Sequence, residues 1–159
     1  MTEPYTWFVF LHLAGLVVFV AAHGFSMFVA YRIRAERDRA AVMANLAWSQ
    51  TATRVATVGL VAMLVGGAGA ATISGVWART WIVGSIVVLV VVIAGMYGVG
   101  ARYYYALRER LTPKAGSGTA PIGDAELAEL LDSRVPDILT AIGGVGLLVL
   151  VWLMVFKPG

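Results

Sequence analysis

Cysteine is absent from this 159-residue chain. That excludes disulfides, thiol catalysis and every Cys-ligated metal or iron–sulfur cluster. Charge is scarce: 13% of residues are Asp, Glu, Lys or Arg, against about a quarter in a soluble domain. Acids are scarcest within the apolar stretches, where only Asp137 falls, at an end. A proton-coupled transporter would need ionisable groups at mid-membrane, so this lack argues against one. Histidine occurs twice. No Ser–His–acid grouping, no pair of buried carboxylates and no His-x-x-x-His helix can be assembled, so the chain does not read as a self-contained enzyme. Gly116-Ser117-Gly118 follows no strand and is not a phosphate loop.

Apolar residues are what the chain has in abundance. They make up 60% of it, and the mean hydropathy is +0.83. They gather into four blocks long enough to cross a bilayer, which takes about 20 residues. The blocks run from about Tyr5 to Tyr31, Val55 to Gly75, Trp81 to Leu107 and Val135 to Phe156. Backbone exposed to lipid must satisfy its own hydrogen bonds, so each block is expected to be a helix. The fold class predicted is all-α: a single membrane domain over 1–159, a four-transmembrane-helix bundle. The first block could be mistaken for a signal peptide. Its start, Met1-Thr2-Glu3-Pro4, carries no positive charge and its apolar run continues to Tyr31, which favours a retained helix.

The connections differ in kind. The first, 32–54, has no Gly or Pro. It reads as a helix leaving the membrane, a short turn, and an amphipathic lead-in carrying Val42, Met43, Leu46 and Trp48. The second, Val76 to Thr80, is short, so spans two and three are expected to be antiparallel neighbours. The third, 108–134, holds Pro113, Gly116-Ser117-Gly118 and Pro121, a loop composition. It ends in Asp124-Ala125-Glu126-Leu127-Ala128-Glu129-Leu130-Leu131. Acids in the first turn and leucines three and four apart predict a short amphipathic surface helix before the fourth span. Pro136 suits the first turn of that span.

Ten of the twelve basic residues lie in or beside the first and third connections; only Arg79 and Lys157 lie on the other side. Basic residues near spans stay cytoplasmic, so both termini are expected outside and connections 32–54 and 108–134 inside. Trp7, Trp77, Trp81, Tyr5 and Trp152 fit an outer aromatic belt, and Trp48 with Tyr103-Tyr104-Tyr105 an inner one. The flanking of apolar segments by Lys and Arg marks them as membrane anchors. No nucleic-acid surface is read from them, and membrane lipids are the expected surroundings.

Small residues recur at helix-packing spacing: Ala22, Ser26 and Ala30 on span one, Ala62, Gly66, Ala70 and Ser74 on span two, Ala94 and Gly98 on span three. Such stripes let backbones approach within the bundle or across a dimer face.

His12 and His23 both lie in span one. Eleven residues is about three helical turns, so the two share a face roughly 16 Å apart along the axis. An intramembrane imidazole can hydrogen-bond a neighbouring Ser, Thr or backbone carbonyl. It can also ligate haem iron, relay a proton or pass a metal. Met27 lies one turn from His23, and Met63 and Met96 lie on other spans; a Met or a second His could complete a haem site. Two histidines so far apart on one helix cannot clamp one iron, so a bis-histidine site needs a second copy or a partner. Asp137 suits the helix N-terminus through the backbone dipole, with ion binding or a partner contact as the other reading. The tyrosine triplet beside Arg102 reads as an interfacial anchor.

The layout resembles a family of bacterial membrane proteins, the domain-of-unknown-function 2269 proteins, which look distantly akin to the copper-resistance D and protoporphyrinogen-oxidase-like membrane families. The resemblance is carried by Trp7 with Phe10-Leu11-His12-Leu13, by the Tyr31-Arg32-Ile33-Arg34-Ala35-Glu36-Arg37-Asp38 exit, by Trp81, and by Ala101 to Arg108 closing span three. It covers most of 5–110. It implies a bacterial cytoplasmic membrane and a histidine on the first helix, used for haem in the protoporphyrinogen-oxidase-like group. That position corresponds to His12. Relatives often carry a Trp and a Gly shortly after it, where this chain has Phe19 and His23-Gly24.

Two functional expectations follow. One is an accessory or assembly subunit of a larger membrane complex, redox-related, with other membrane subunits or further copies of the chain as partners. The other is a stand-alone b-type haem or metal redox protein, with His12, His23 and Met27 as the candidate haem ligands. No other metal site is expected, since the membrane segments lack thiolates and carboxylates.

Overall fold

The computed structural model describes residues 3–112 and 122–159. The loop residues Pro113, Lys114, Gly116-Ser117-Gly118 and Pro121 lie outside that range. The described chain is helical: α1 Glu3–Ala35, α2 Arg39–Ser74, α3 Thr80–Met96, a π turn Tyr97–Ala101, α4 Arg102–Leu111, α5 Asp124–Leu131 and α6 Val135–Phe156. The π turn and α4 continue α3, so four long apolar helical stretches result, each able to cross a membrane. This is a multi-pass membrane protein with an all-α, four-helix architecture.

Both ends of α2 and the start of α6 have local causes. Asp38 caps α2, accepting from the Ala41 N–H at 2.8 Å, which satisfies one orphan donor of the first turn. Gly75 ends α2 with φ 66°, a left-handed conformation that glycine adopts without a Cβ clash. The Val76 N–H then reaches back to the Ala71 carbonyl at 3.2 Å. Pro136 sits in the first turn of α6, where its missing N–H removes no bond.

The helices pair as two hairpins. In the first, α1 and α2 run antiparallel with backbones in contact. Phe8 faces Gly69, His12 faces Gly66, Gly15 faces Met63, and Phe19 faces Gly59. A Cβ on Gly66 would lie 2.4 Å from the His12 backbone nitrogen, and one on Gly15 would lie 2.4 Å from that of Met63. Only glycine permits this approach, which brings close van der Waals contact and drives pairing in lipid. The buried stripe of α2 is Ala52, Ala56, Gly59, Met63 and Gly66. It shares Gly66 with the stripe expected from sequence but turns away from Ala70 and Ser74.

In the second hairpin, α3 and its continuation run antiparallel to α6. Gly84 lies against Leu153, Gly146 against Val92, Gly95 against Ile142 and Gly100 against Leu139. Lys157 Nζ stands 5.5 Å from the Trp81 ring centroid. Ala94 and Gly98, expected from their spacing to pack inside the bundle, are exposed instead. The α6 contact runs through Gly95 and Gly100, one position round the helix.

The core of the molecule sits at one end. Val29 and Ile33 of α1, Val42 and Leu46 of α2, Leu107 of α4, and Ile122, Leu127 and Leu131 at α5 form one cluster. The connection of 32–54 is thus a three-residue turn followed by helix already continuous with the second span. Its Val42 and Leu46 are buried in this cap, while Trp48 faces outward. The helix expected at Asp124–Leu131 is present as α5. Leu127 and Leu131, one turn apart, give it the apolar face that docks.

Candidate functional site: two histidines in the span and a clasp at the charged end

His12 lies in the α1–α2 contact. Its Nδ1 is 2.7 Å from the Met63 carbonyl oxygen. A carbonyl only accepts, so Nδ1 carries the proton and Nε2 the lone pair. Gly67 makes room for the ring, since a Cβ there would lie 2.9 Å from Nδ1. The backbone-carbonyl reading of this histidine is therefore realised, and the acceptor belongs to Met63, a residue noted from sequence for its thioether rather than its carbonyl.

His23 behaves differently. It stacks on Phe19, with ring centroids 5.5 Å apart and planes within 8°. Its Nε2 points at α6, where a Cβ on Gly143 would be 2.7 Å away. That nitrogen is buried and makes no hydrogen bond among the described residues. Met27 is one turn farther along the same helix, so His23 and Met27 stand side by side rather than across a shared gap.

The structure therefore separates the residues considered for haem. His12 faces α2, His23 faces α6, and no group of three or more His, Cys, Asp or Glu forms among the described residues. The tautomer of His12 is the one an iron ligand needs. Space beside it is another matter. Of the clefts on the surface of α1 and α2, one is lined by Phe25, Phe28, Val29, Arg32, Asn45 and Trp48 and another by Leu11, Thr57, Val58, Val61, Ala62 and Val65. Neither has a histidine in its wall. His23 Nε2 meets helix backbone directly, with no gap for a macrocycle. The described geometry does not fit a haem at His23.

The charged end holds a second constellation. Three arginines of the α1–α2 junction each meet an acid of the α5–α6 segment. Arg34 pairs with Asp137 at 2.7 Å, Arg37 with Asp132 at 2.9 Å and Arg39 with Asp124 at 2.8 Å. Asp137 also accepts from the Tyr31 hydroxyl at 3.1 Å. It stands in the first turn of α6, so it joins favourable placement at the helix N-terminus to a contact between spans. Arg110 pairs with Glu126. Arg108 donates to the Leu46 carbonyl at 3.2 Å and Tyr103 to the Leu130 carbonyl at 3.0 Å. Tyr103 and Tyr104 pack on the cap, and only Tyr105 of the triplet is fully exposed. Within the turn, the N–H groups of Asp38 and Arg37 donate to Glu36 Oε1 and hold its carboxyl below the usual carboxylate range.

Reading the sequence element by element did not pair these charges. The available signal was the presence of opposite charges in two connections on one side. No family model matches the sequence, and no curated protein or solved structure is significantly similar to it.

Proposed function

We propose that this chain is an accessory or assembly subunit of a larger membrane complex rather than an enzyme in its own right. The observation that carries the reading is how little of the membrane region the chain covers for itself. Only 6% of the most apolar stretch of the third span and 11% of that of the first are buried within the molecule. Each helix has one close partner, and the two hairpins meet through a small contact around His23, Tyr31 and Arg34 and through the cap. The outward face of the second hairpin carries Ala94, Gly98 and Gly144, and a Cβ on either glycine meets nothing within 4 Å. Small uncovered faces in lipid accept a neighbouring helix at short range. The resemblance to the domain-of-unknown-function 2269 proteins points such a complex toward redox chemistry.

The cysteine-free chain allows a direct test. A single cysteine at Gly98 or Gly144, where added side chains have space, is expected to crosslink in native membranes to another polypeptide. The wild type, extracted in digitonin, is expected to migrate well above a lone monomer. A monomer with no crosslink at either position overturns the subunit reading. If that monomer shows a Soret band lost in His12→Ala, the stand-alone b-type haem protein replaces it.

A further inference from the structure

The cleft between the inner half of α1 and the first turns of α2 combines an apolar floor with a polar rim. Phe25, Phe28, Val29 and Arg32 follow one face of α1 at three- and four-residue steps. Asn45 and Trp48 face them from α2, as the antiparallel register of the first hairpin requires. The cleft measures about 240 Å³ and is open to the surface. Phe28 is 61% exposed and Trp48 59% exposed. Seven residues separate Phe25 from Arg32, about 10 Å along the axis. That distance spans the step from upper acyl chain to headgroup.

Arg32 differs from the other arginines of its stretch. Arg34, Arg37 and Arg39 are each held by a carboxylate. Arg32 is exposed and has no hydrogen bond or ion pair among the described residues. Its influence on Glu36 is felt through space, and Glu36 Oε1 accepts from the turn's N–H groups. Its guanidinium is thus presented at the mouth of an apolar cleft with donors unspent.

We infer that this cleft is a binding site for one anionic phospholipid. The phosphate is held by the Arg32 guanidinium with the Asn45 amide beside it, and the upper acyl chain lies on Phe25 and Phe28 under the Trp48 ring. A guanidinium fork matches phosphate oxygens in pairs. An indole with one apolar and one polar edge belongs at the same depth. A soluble anion would use the rim and leave the aromatic floor bare.

Native mass spectrometry of the full chain, released from nanodiscs of equal phosphatidylglycerol and phosphatidylcholine, tests this. The wild type is expected to keep phosphatidylglycerol in preference. One guanidinium near an anionic surface is worth a factor of roughly five, so Arg32→Gln is expected to lower retention by about that much. Trp48→Leu should lower it in the same direction. Arg102→Gln, at an exposed arginine of α4 away from the cleft, should leave it unchanged. Added inorganic phosphate should not displace the lipid. Equal retention of the two lipids by the wild type overturns the site. So does an Arg32→Gln chain that binds as the wild type does, an equal loss in Arg102→Gln, or displacement by phosphate alone.

Discussion

An imidazole inside lipid either finds a partner or bears the penalty of going without, and the two histidines of α1 take opposite courses. His12 donates to the Met63 carbonyl, and the bond lies within a backbone contact that holds both partners in place. Hydrogen bonds between membrane helices average about 0.6 kcal/mol and reach about 1.7 kcal/mol, with the upper part of the range expected where both groups are fixed. His23 Nε2 is buried with no partner among the described residues, and leaving a polar atom in that state is unfavourable by about 1–3 kcal/mol. Leucine is of similar volume to histidine and needs no partner. We therefore expect His12→Leu to lower the thermal midpoint in detergent and His23→Leu to leave it unchanged or raise it. Light-scattering melts of the two variants side by side check this. Equal losses in both would show that His23 has a partner after all. The chemistry of these residues was legible in sequence, because an intramembrane histidine needs an acceptor. The identity of the acceptor was not. A carbonyl has no sequence signature, and Met63 became the acceptor only through the register of two helices.

At the scale of elements, the clasp joins the α1–α2 junction to the α5–α6 segment through three ion pairs whose surroundings differ. Asp124 has a side chain 93% exposed, while that of Asp137 is 47% exposed and shares its oxygens between Arg34 and Tyr31. Exposed pairs contribute about 0–1 kcal/mol because water and salt screen them. The Arg34–Asp137 pair has a second donor and lies where the spans meet, so it should contribute most. Asp137→Asn is therefore expected to destabilise the protein clearly more than Asp124→Asn, and the difference should shrink in high salt. Chemical denaturation of both variants at low and high ionic strength measures it, and equal effects would place the clasp's strength in its apolar cap. The helices themselves were legible from length and hydropathy, α5 included. The packing faces were read less well. A strict four-residue repeat advances about 40° per step round a helix of 3.6 residues per turn, so it walks off any straight contact line. The true stripe of α2 alternates threes and fours through Ala52, Ala56, Gly59, Met63 and Gly66. The outward turn of Ala94 and Gly98 has the same origin, because spacing identifies a face without saying which neighbour covers it.

For the whole molecule, the asymmetry between its two ends decides how it is set in a membrane. Among the described residues, one end carries the cap, the clasp and nine of the eleven basic residues; the other carries the start of α1, the end of α6, the α2–α3 turn, Arg79 and Lys157. Ion pairing offsets part of that charge, since Arg34, Arg37, Arg39 and Arg110 are matched by acids. Orientation nevertheless follows the count of Lys and Arg near span ends rather than the net charge, because acids contribute little to it. We therefore propose that the clasp end faces the cytoplasm and the termini the outside. With no native cysteine to interfere, single cysteines at Thr2, Trp77 or Gly159 should react with an impermeant maleimide applied to intact cells. A cysteine at Ala40, in the first turn of α2, should react only after permeabilisation. Labelling at Ala40 with protection at the other three would invert the topology. It would also move the phospholipid cleft at Arg32 to the opposite leaflet, so this assignment decides which face of the membrane presents the lipid.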